Sequence, residues 1–177
     1  MKFLVLSDLH GRGDLARRVL AIHRDADGVF FLGDGIRDLP LEDCRADGRL
    51  FAGVRGNCDV FSFRQEEYSY TEELFLNLGE YTVMMMHGHT RGVKWGTDRA
   101  IRAAAERGAN VLLYGHTHVA EEAYLPAGSE VDGLAMSRPM WVMNPGSLGA
   151  PIDGNPSYGL LQIRNGQILL SHGTVNH

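Results

Sequence analysis

The segment Lys2-Phe-Leu-Val-Leu-Ser-Asp-Leu-His10 decides the fold of this chain. Its first six residues form a near-continuous apolar run, which is typical of a strand buried on both faces of a sheet. The run ends at Asp8 and His10, so a carboxylate and an imidazole follow the strand directly. Ligands of open α/β sheets bind outside the carboxyl ends of the strands, and this segment therefore predicts a functional rim there.

The same arrangement recurs along the chain, because further apolar strands also end in polar residues beside a glycine. The predicted strands are Gly28–Leu32, Leu50–Val54, the hairpin Leu74–Leu78 with Tyr81–Met86, and Val111–Tyr114. The residues that follow them are Gly33-Asp34, Gly56-Asn57-Cys58-Asp59, His87-Gly88-His89 and Gly115-His116-Thr117-His118. We expect these side chains to converge at one rim of the fold.

Two helices are predicted between the strands. In the first, Asp14 is the expected N-cap, and Leu15, Val19 and Ile22 lie on one face. The second covers Asp98–Arg107, and its expected cap, inner face and terminator are Thr97, Ile101, Ala104, Ala105 and Gly108. The run from Arg91 to Arg102 holds four basic residues and Trp95. It is most simply a solvated loop and helix face, and contact with a substrate or partner is the alternative.

The last third of the chain is dominated by strands. They are predicted at Trp141–Met143, Tyr158–Ile163 and Gln167–Ser171, and Asn165-Gly166 is the signal of a tight hairpin turn. Early alternation of strands and helices, followed by strands alone, predicts an α/β fold of two packed sheets with helices on the outer faces. A length of 177 residues is close to that of one ordinary domain, so residues 1–177 are expected to form a single domain.

The composition excludes several classes of protein. Hydrophobic residues make up 44% and charged residues 22%, which is typical of a globular chain. Seventeen basic and 22 acidic residues leave a net charge of −5, so no stable nucleic-acid partner is expected. No apolar run approaches the roughly 20 residues that cross a bilayer, so no membrane association is expected. Cys44 and Cys58 do not suggest a disulfide framework, which favours a cytoplasmic location.

Convergence of these carboxylates and imidazoles would be costly without a cation, because clustered charges repel and desolvated polar groups need partners. Asp8 and His10 are two residues apart, as are His116 and His118, so an extended backbone would point each pair the same way. Such a pair can hold one ion or straddle two neighbouring ions. Oxygen and imidazole ligands without thiolates favour Mn, Fe, Zn or Mg.

In order and spacing, Asp8-Leu-His10, Gly33-Asp34, Gly56-Asn57-Cys58-Asp59, His87 and Gly115-His116-Thr117-His118 resemble the five blocks of calcineurin-like metallophosphoesterases. The Asn57-Cys58-Asp59 block and the later Asn144-Pro145-Gly146-Ser147 are similar to those of the small phosphodiesterase branch. That branch also includes a retromer subunit regarded as a scaffold. The resemblance implies a four-layer α/β/β/α sandwich with two packed mixed sheets.

The resemblance also implies two metal sites that share Asp34 as a bridge. One site would hold its ion with Asp8, His10, Asp34 and His118, and the other with Asp34, Asn57, His87 and His116. The implied activity is that of a binuclear phosphodiesterase, in which a metal-bridging hydroxide attacks a small phosphodiester. Mn is the preferred ion, and Fe, Zn, Ni and Mg are alternatives.

The general acid is the point at which the chain departs from this family. Many relatives carry a histidine directly after the asparagine, where it protonates the leaving group with help from the next acidic residue. Here Cys58 takes that position, and a thiol is a weaker donor than an imidazole at neutral pH. The catalytic candidates are therefore Asn57, Cys58 and Asp59, with His89 as a substitute imidazole.

Two other functions fit the sequence less well. Gly11-Arg-Gly13-Asp-Leu-Ala16 matches a dinucleotide-binding fingerprint, but a carboxylate at Asp8 would repel a pyrophosphate there. Cys58 as a phosphatase nucleophile would need an anion-cradling loop ending in arginine, and Asp59 follows it instead. A phosphomonoesterase or protein phosphatase at the same site, and a non-catalytic scaffold, stay open. So does a homo-oligomer, which the apolar, strand-rich last third could support.

Overall fold

The computed structural model describes residues 1–61, 70–152 and 154–176. In chain order the strands are β1 (Lys2–Leu6), β2 (Gly28–Phe31), β3 (Leu50–Gly53), β4 (Glu73–Leu78), β5 (Tyr81–Met86), β6 (Val111–Tyr114), β7 (Ala120–Leu125), β8 (Glu130–Val131), β9 (Leu134–Ala135), β10 (Met140–Pro145), β11 (Ser157–Arg164) and β12 (Gln167–Thr174). The α-helices are α1 (Gly13–Ile22), α2 (Leu41–Cys44) and α3 (Asp98–Glu106). Short 3-10 turns occupy Ala46–Gly48, Asn57–Phe61, His89–Arg91 and Val93–Trp95.

Ten of these strands form two mixed sheets of five strands each. In the first sheet the order is β12-β11-β1-β2-β3, with β1, β2 and β3 parallel and β11 antiparallel to β1. In the second sheet the order is β4-β5-β6-β10-β7, with β5, β6 and β10 parallel and both edge strands antiparallel to their neighbours. The predicted pair of mixed sheets is confirmed.

Alternate residues of the central strands point into different layers of the molecule. Phe3 and Val5 of β1 pack in the apolar layer between the sheets, together with Met85 of β5. Their neighbours face outward: Leu4 and Leu6 pack under α1. On the other side, Met84 and Met86 pack under α3. These three apolar layers give the four-layer α/β/β/α sandwich that the resemblance implied.

The predicted hairpins are present, whereas some local predictions were wrong. Helix α1 begins at Gly13, one residue before the predicted cap, and Asp14 instead pairs with Arg12 at 2.9 Å. Ile22 is 61% exposed, because the inner face of α1 turns through Leu20 instead. Thr97 precedes α3 but its side chain makes no capping hydrogen bond.

Strand β7 escaped prediction because an exposed edge strand shows little apolar patterning. It carries Glu121 and Glu122 and is open to solvent along most of its length. The β11–β12 turn follows the predicted chemistry, with Asn165 (φ 51°) and Gly166 (φ 70°) both left-handed. Among the described residues, no helix combines the length and apolar character that crossing a bilayer requires.

Candidate metal centre

The polar blocks that follow the apolar strands meet at one end of the two sheets. In the first sheet Asp8 follows β1 and its backbone N–H donates to Gly33, beside Asp34, at 2.9 Å. In the second sheet the N–H of Gly115 donates to the carbonyl of His87 at 3.1 Å, which brings the ends of β5 and β6 together. The predicted convergence at one rim is confirmed.

One set of ligand atoms at this rim is the outer group, which consists of Asp8, His10 and His118. Its ligand atoms lie within 4.8 Å of one another. Asp8 Oδ1 lies 3.1 Å from His118 Nε2 and 3.7 Å from His10 Nε2. Asp8 is fully buried, whereas His10 is exposed. This group presents one carboxylate and two imidazoles to a common point and could hold a metal ion.

The inner group consists of Asp34, His87 and His116 and could hold a second ion. His87 Nε2 lies 3.3 Å from Asp34 Oδ2 and 3.1 Å from His116 Nδ1. Asn57 joins this group, because its Oδ1 lies 3.1 Å from the same His87 nitrogen. The two groups touch: the backbone N–H of His116 donates to Asp8 Oδ2 at 3.1 Å.

Backbone carbonyls fix the proton on two of the imidazoles. His87 Nδ1 lies 2.8 Å from the carbonyl oxygen of Leu32, and His118 Nδ1 lies 2.7 Å from that of Ala150. A carbonyl oxygen only accepts, so each Nδ1 carries the proton and each Nε2 keeps its lone pair for the group. Donation of the second ring N–H to a carbonyl is the usual arrangement of metal-ligating histidines.

Asp8 supplies the clearest test of whether a cation fits. Its Oδ2 accepts from Ser7 Oγ and from the N–H of His116. Its Oδ1 is buried and accepts no well-formed hydrogen bond from the described residues. Burial alone would raise the pKa of Asp8, but the imidazoles of His10 and His118 outweigh it and hold the pKa below its usual range. A buried anionic oxygen without a donor is what a cation satisfies.

The backbone at the rim is left-handed rather than extended. Positive φ angles occur at Asp8 (54°), His10 (39°), Asp34 (58°), His116 (70°) and His118 (60°). The prediction that an extended backbone aligns the ligand pairs was therefore wrong. The left-handed turns bring Asp8 and His10 to one group but send His116 and His118 to different groups. Such conformations cost on the order of 1 kcal/mol per non-glycine residue and cluster at functional sites.

Comparison with known proteins agrees with this geometry. The sequence profile of the calcineurin-like phosphoesterase superfamily domain matches residues 1–166. This chain belongs to that superfamily. Members are metal-dependent phosphoester hydrolases, and the outer and inner groups are its candidate metal-binding residues.

Individual relatives share most of their length with this superfamily member. It is 30% identical over 167 residues to a probable metallophosphoesterase, YsnB, of Bacillus subtilis, covering 93% of this chain and 86% of that protein. It is 31% identical over 172 residues to a probable metallophosphoesterase of Mycoplasma pneumoniae, covering 94% and 92%. The crystal structure of a predicted phosphoesterase from Streptococcus pneumoniae superposes with a TM-score of 0.72 at 25% identity, over 98% of this chain and 88% of that one.

A more distant neighbour shows the shared fold alone. Zinc-complexed Vps29 from Entamoeba histolytica superposes with a TM-score of 0.65 at 21% identity, over 99% of this chain and 100% of that one.

In this superfamily member, the carboxylate of Asp59 accepts hydrogen bonds from the backbone of the loop that carries Asp34. Its Oδ2 accepts from the N–H groups of Asp34 and Gly56, each at 2.8 Å. Its Oδ1 accepts from Gly35 and Ile36 at 2.9 and 3.1 Å. The carboxylate therefore holds the loop that presents Asp34 to the inner group. Gly56 completes this packing, because a Cβ there would collide with the Asp34 carboxylate.

The two remaining acid candidates lie beside the inner group. The N–H of Cys58 donates to Asp34 Oδ1 at 2.7 Å, and partial burial followed by the proximity of Asp34 raises the pKa of its thiol to about 11. The ring centroid of His89 lies 5.4 Å from that of His87 and 6.1 Å from that of His116. Burial lowers the pKa of His89, and its Nδ1 has no hydrogen-bond partner among the described residues.

Two buried polar residues of the 144–147 turn support the site. Asn144 Nδ2 donates to the carbonyl of Gly115 at 3.0 Å and to Thr117 Oγ1 at 2.9 Å, so it fixes the loop that carries His116. Ser147 Oγ donates to the carbonyl of Asp8 at 2.8 Å. In the sequence, only the resemblance to the small phosphodiesterase branch indicates this turn. Ser7 and the carbonyls of Leu32 and Ala150 were missed, and backbone acceptors leave no signal in a sequence.

Proposed function

We propose that this protein is a phosphodiesterase that hydrolyses small phosphodiesters with two divalent cations, one at each group. The observation that carries the proposal is the contact between two groups that each combine one carboxylate with two imidazoles. Asp34 would bridge the ions and Asn57 would complete the inner site. Mn²⁺ suits this set of oxygen and nitrogen donors, with Fe, Zn, Ni and Mg as alternatives.

When bound, the cations would neutralise charge on the phosphoryl oxygens and lower the pKa of the attacking water. The residues of the chain supply the rest. Asp8 and Asp34 provide the negative charge that retains the cations, and His87 and His118 present fixed lone pairs. Among the described residues, the one hydrogen bond of Asn57 Nδ2 is to the Cys58 sulfur, at 3.4 Å, so it is the amide donor that would orient a phosphoryl oxygen.

Diester specificity has one outside source of support. An archaeal phosphodiesterase has the same fold, with a TM-score of 0.65 and 20% identity over 99% of this chain and 100% of that one. The two unpaired cysteines, Cys44 and Cys58, suit a reducing cytoplasmic setting.

We assign protonation of the leaving group to His89 rather than to Cys58 or Asp59. A thiol with a pKa near 11 is a weak acid at neutral pH, because general acids work best with a pKa near the operating pH. Asp59 is saturated by four backbone donors and acts as a positioning residue. The imidazole of His89 lies beside the inner group, and its Nδ1 has no hydrogen-bond partner among the described residues. Burial lowers the pKa of His89, so the negative charge of a bound phosphodiester would have to raise this pKa for the imidazole to donate.

The central experiment measures hydrolysis of bis-p-nitrophenyl phosphate and p-nitrophenyl phosphate by metal-free and Mn²⁺-loaded protein. We expect Mn²⁺-dependent turnover of the diester in preference to the monoester. The reverse preference would point to a phosphomonoesterase, and metal binding without turnover of either substrate would point to a scaffold.

Asp34→Asn should abolish most of this activity, since it removes the negative charge shared by the ions. Asp47→Asn is the matched control, because Asp47 has the same φ of 58° but is exposed and belongs to neither group. Full turnover by Mn²⁺-loaded Asp34→Asn protein would contradict the proposed site.

The role of His89 is tested by the leaving group. His89→Asn should slow hydrolysis of diesters with an alkoxide leaving group by about 100-fold, the lower range for general acid catalysis. Diesters that release p-nitrophenolate need little protonation and should lose far less. Equal losses on both substrates would remove His89 from this role, and the same comparison with Cys58→Ser tests the thiol.

A further inference from the structure

The turn that follows His87 carries an aromatic side chain that the core does not use. Trp95 is 94% exposed, whereas tryptophan is highly buried on average in folded proteins. It ends the 3-10 turn Val93–Trp95, which is flanked by Gly92 (φ 67°) and Gly96 (φ 140°). The sequence therefore places a large flat apolar surface in solvent, next to the rim.

This turn is anchored on the residue beside an inner-group ligand. The N–H of Val93 donates to the carbonyl of Gly88 at 3.3 Å, and Gly88 directly follows His87. Val93 is buried against Gly88, where an added Cβ would lie 2.7 Å from a Val93 methyl carbon. Trp95 is two peptide units further on, so its Cα lies within about 8 Å of that of Val93. The anchor fixes the position of the turn relative to the inner group.

Lys94 lies between Val93, which anchors the turn, and Trp95, and its ammonium group is positively charged. Its side chain is exposed, and within the described part of the chain it forms no ion pair. Lys94 directly follows Val93, whose N–H is hydrogen-bonded to the carbonyl of Gly88 beside the inner-group ligand His87. The residue next to the anchor of this turn therefore carries a positive charge on the side of the inner group, where a phosphate would bind.

A cleft of about 450 Å³ opens beside the indole. This volume lies within the range of roughly 300–1,000 Å³ that is typical of small-molecule sites. Its lining residues are Gly92, Trp95, Gly96, Asp98, Arg99 and Asp132. The cleft thus offers an aromatic face together with carboxylate acceptors and a guanidinium donor. A flat ring with polar edges, such as a nucleobase, complements both features.

We propose that Trp95 and Lys94 form a nucleotide subsite, in which the indole stacks on a nucleobase and the Lys94 ammonium contacts the phosphate of the same nucleotide. The inference rests on the proposed phosphodiesterase function and narrows its substrates to diesters of nucleotides. Stacking is tolerant of base identity, so the subsite selects for the presence of a base rather than for one base.

The first test compares two diesters that break the same bond. Thymidine 5′-(p-nitrophenyl phosphate) and methyl p-nitrophenyl phosphate share the leaving group and differ in the nucleoside. Trp95→Ala should lower the ratio of their kcat/KM values about tenfold, through KM of the nucleotide ester, the range expected for loss of one stacked base. Trp95→Phe should retain most of the ratio. Tyr124→Ala, at another exposed aromatic, is the control, and an unchanged ratio in Trp95→Ala would overturn the proposal.

The second test measures binding without turnover. The chain has two tryptophans, so Trp141→Phe leaves Trp95 as the sole indole fluorophore. AMP should quench its emission, ribose 5-phosphate should not, and Lys94→Ala should weaken the AMP titration. Absence of quenching by AMP would refute the subsite even if diesters are hydrolysed. Quenching in a protein that hydrolyses neither p-nitrophenyl ester would support the subsite and refute the phosphodiesterase.

Discussion

The outer and inner groups use the same ligand chemistry at different depths. In the inner group Asp34 and His87 are both buried, whereas in the outer group only Asp8 is buried and His10 is exposed. Water can replace an exposed ligand but cannot easily reach a buried one. We therefore expect the inner group to retain its cation and the outer group to exchange with solvent.

The two groups also differ in the structure that supports them. The Asp34 loop of the inner group is fixed by four backbone donors to Asp59, and His87 by the carbonyl of Leu32. In the outer group, His118 is fixed by the carbonyl of Ala150. No comparable hydrogen bond orients His10 among the described residues, and its near neighbours are Asp8 and His118 themselves. The group with the more buried ligands thus also has more hydrogen bonds that hold those ligands in place. Substitutions can test the two properties one at a time.

The largest difference is expected between His87→Ala and His10→Ala. Changes to supporting residues typically cost 10- to 100-fold in metal affinity or activity, so loss of the buried ligand His87 should cost more than about 100-fold in kcat/KM for bis-p-nitrophenyl phosphate. Loss of exposed His10 should cost about tenfold, since water can take its place. Mn²⁺ content by mass spectrometry should show one ion lost from His87→Ala. Equal losses in the two variants would show that depth is irrelevant.

The variant Asp59→Asn weakens the hydrogen bonds that fix the Asp34 loop without changing the ligands of the inner group. Asparagine keeps one acceptor oxygen but turns an NH₂ group toward two backbone N–H donors. Hydrogen bonds to charged groups contribute about 1.5–3 kcal/mol each, and we expect the free energy of unfolding to fall by about 2 kcal/mol. Urea denaturation of metal-free protein measures this. If Asp59 donates a proton in catalysis instead, kcat would fall while the stability of the metal-free protein stayed the same.

Metal removal should proceed in two phases. On addition of a chelator to the Mn²⁺-loaded protein, the outer ion should leave first and the inner ion about tenfold more slowly, because the buried shell limits solvent access. Metal content sampled over time would resolve the phases. A single phase that releases both ions together would show that the groups behave as one unit.

The smallest predicted effect concerns the left-handed backbone of the outer group. In metal-free protein, His10→Gly should be about 1 kcal/mol more stable than His10→Ala, because glycine adopts a φ of 39° without the steric cost that alanine keeps. Both variants lack the imidazole, so the difference between their thermal unfolding midpoints reports the cost of the left-handed backbone at residue 10. Identical midpoints would mean that the outer-group turn stores no strain.

Much of the site could be predicted because most of the ligands follow a buried apolar strand, although β3, which precedes Asn57, is a partly exposed edge strand. Asp8 and Asp34 lie two and three residues after the ends of β1 and β2, whose apolar runs are typical of strands in a sheet interior, so their convergence follows from topology. The division into two groups was less accessible. His116 and His118 have the same spacing as Asp8 and His10, yet they separate, because four left-handed φ angles rather than alternation aim these side chains.

Other features leave no pattern that a sequence can show. The carbonyls of Leu32 and Ala150 set the histidine tautomers, and every residue has a carbonyl. Edge strand β7 buries too little for its apolar residues to alternate visibly. Ile22 lies at one edge of the buried face of α1, which is centred between the Leu15–Val19 and Ala16–Leu20 pairs. The apolar spacing alone does not show which edge of that face the sheet covers.

Each group takes ligands from both sheets: Asp8, His10 and Asp34 follow strands of the first, and His87, His116 and His118 follow strands of the second. A cation bound at either group would therefore also act as a clasp that closes the two layers at one edge. Elsewhere apolar packing joins them, together with hydrogen bonds such as that from the Tyr81 hydroxyl to the carbonyl of Gly166. The midpoint of denaturation should rise with the concentration of free metal. Amide hydrogen exchange should accelerate first at the carboxyl ends of β1, β2, β5 and β6 when the clasp is opened.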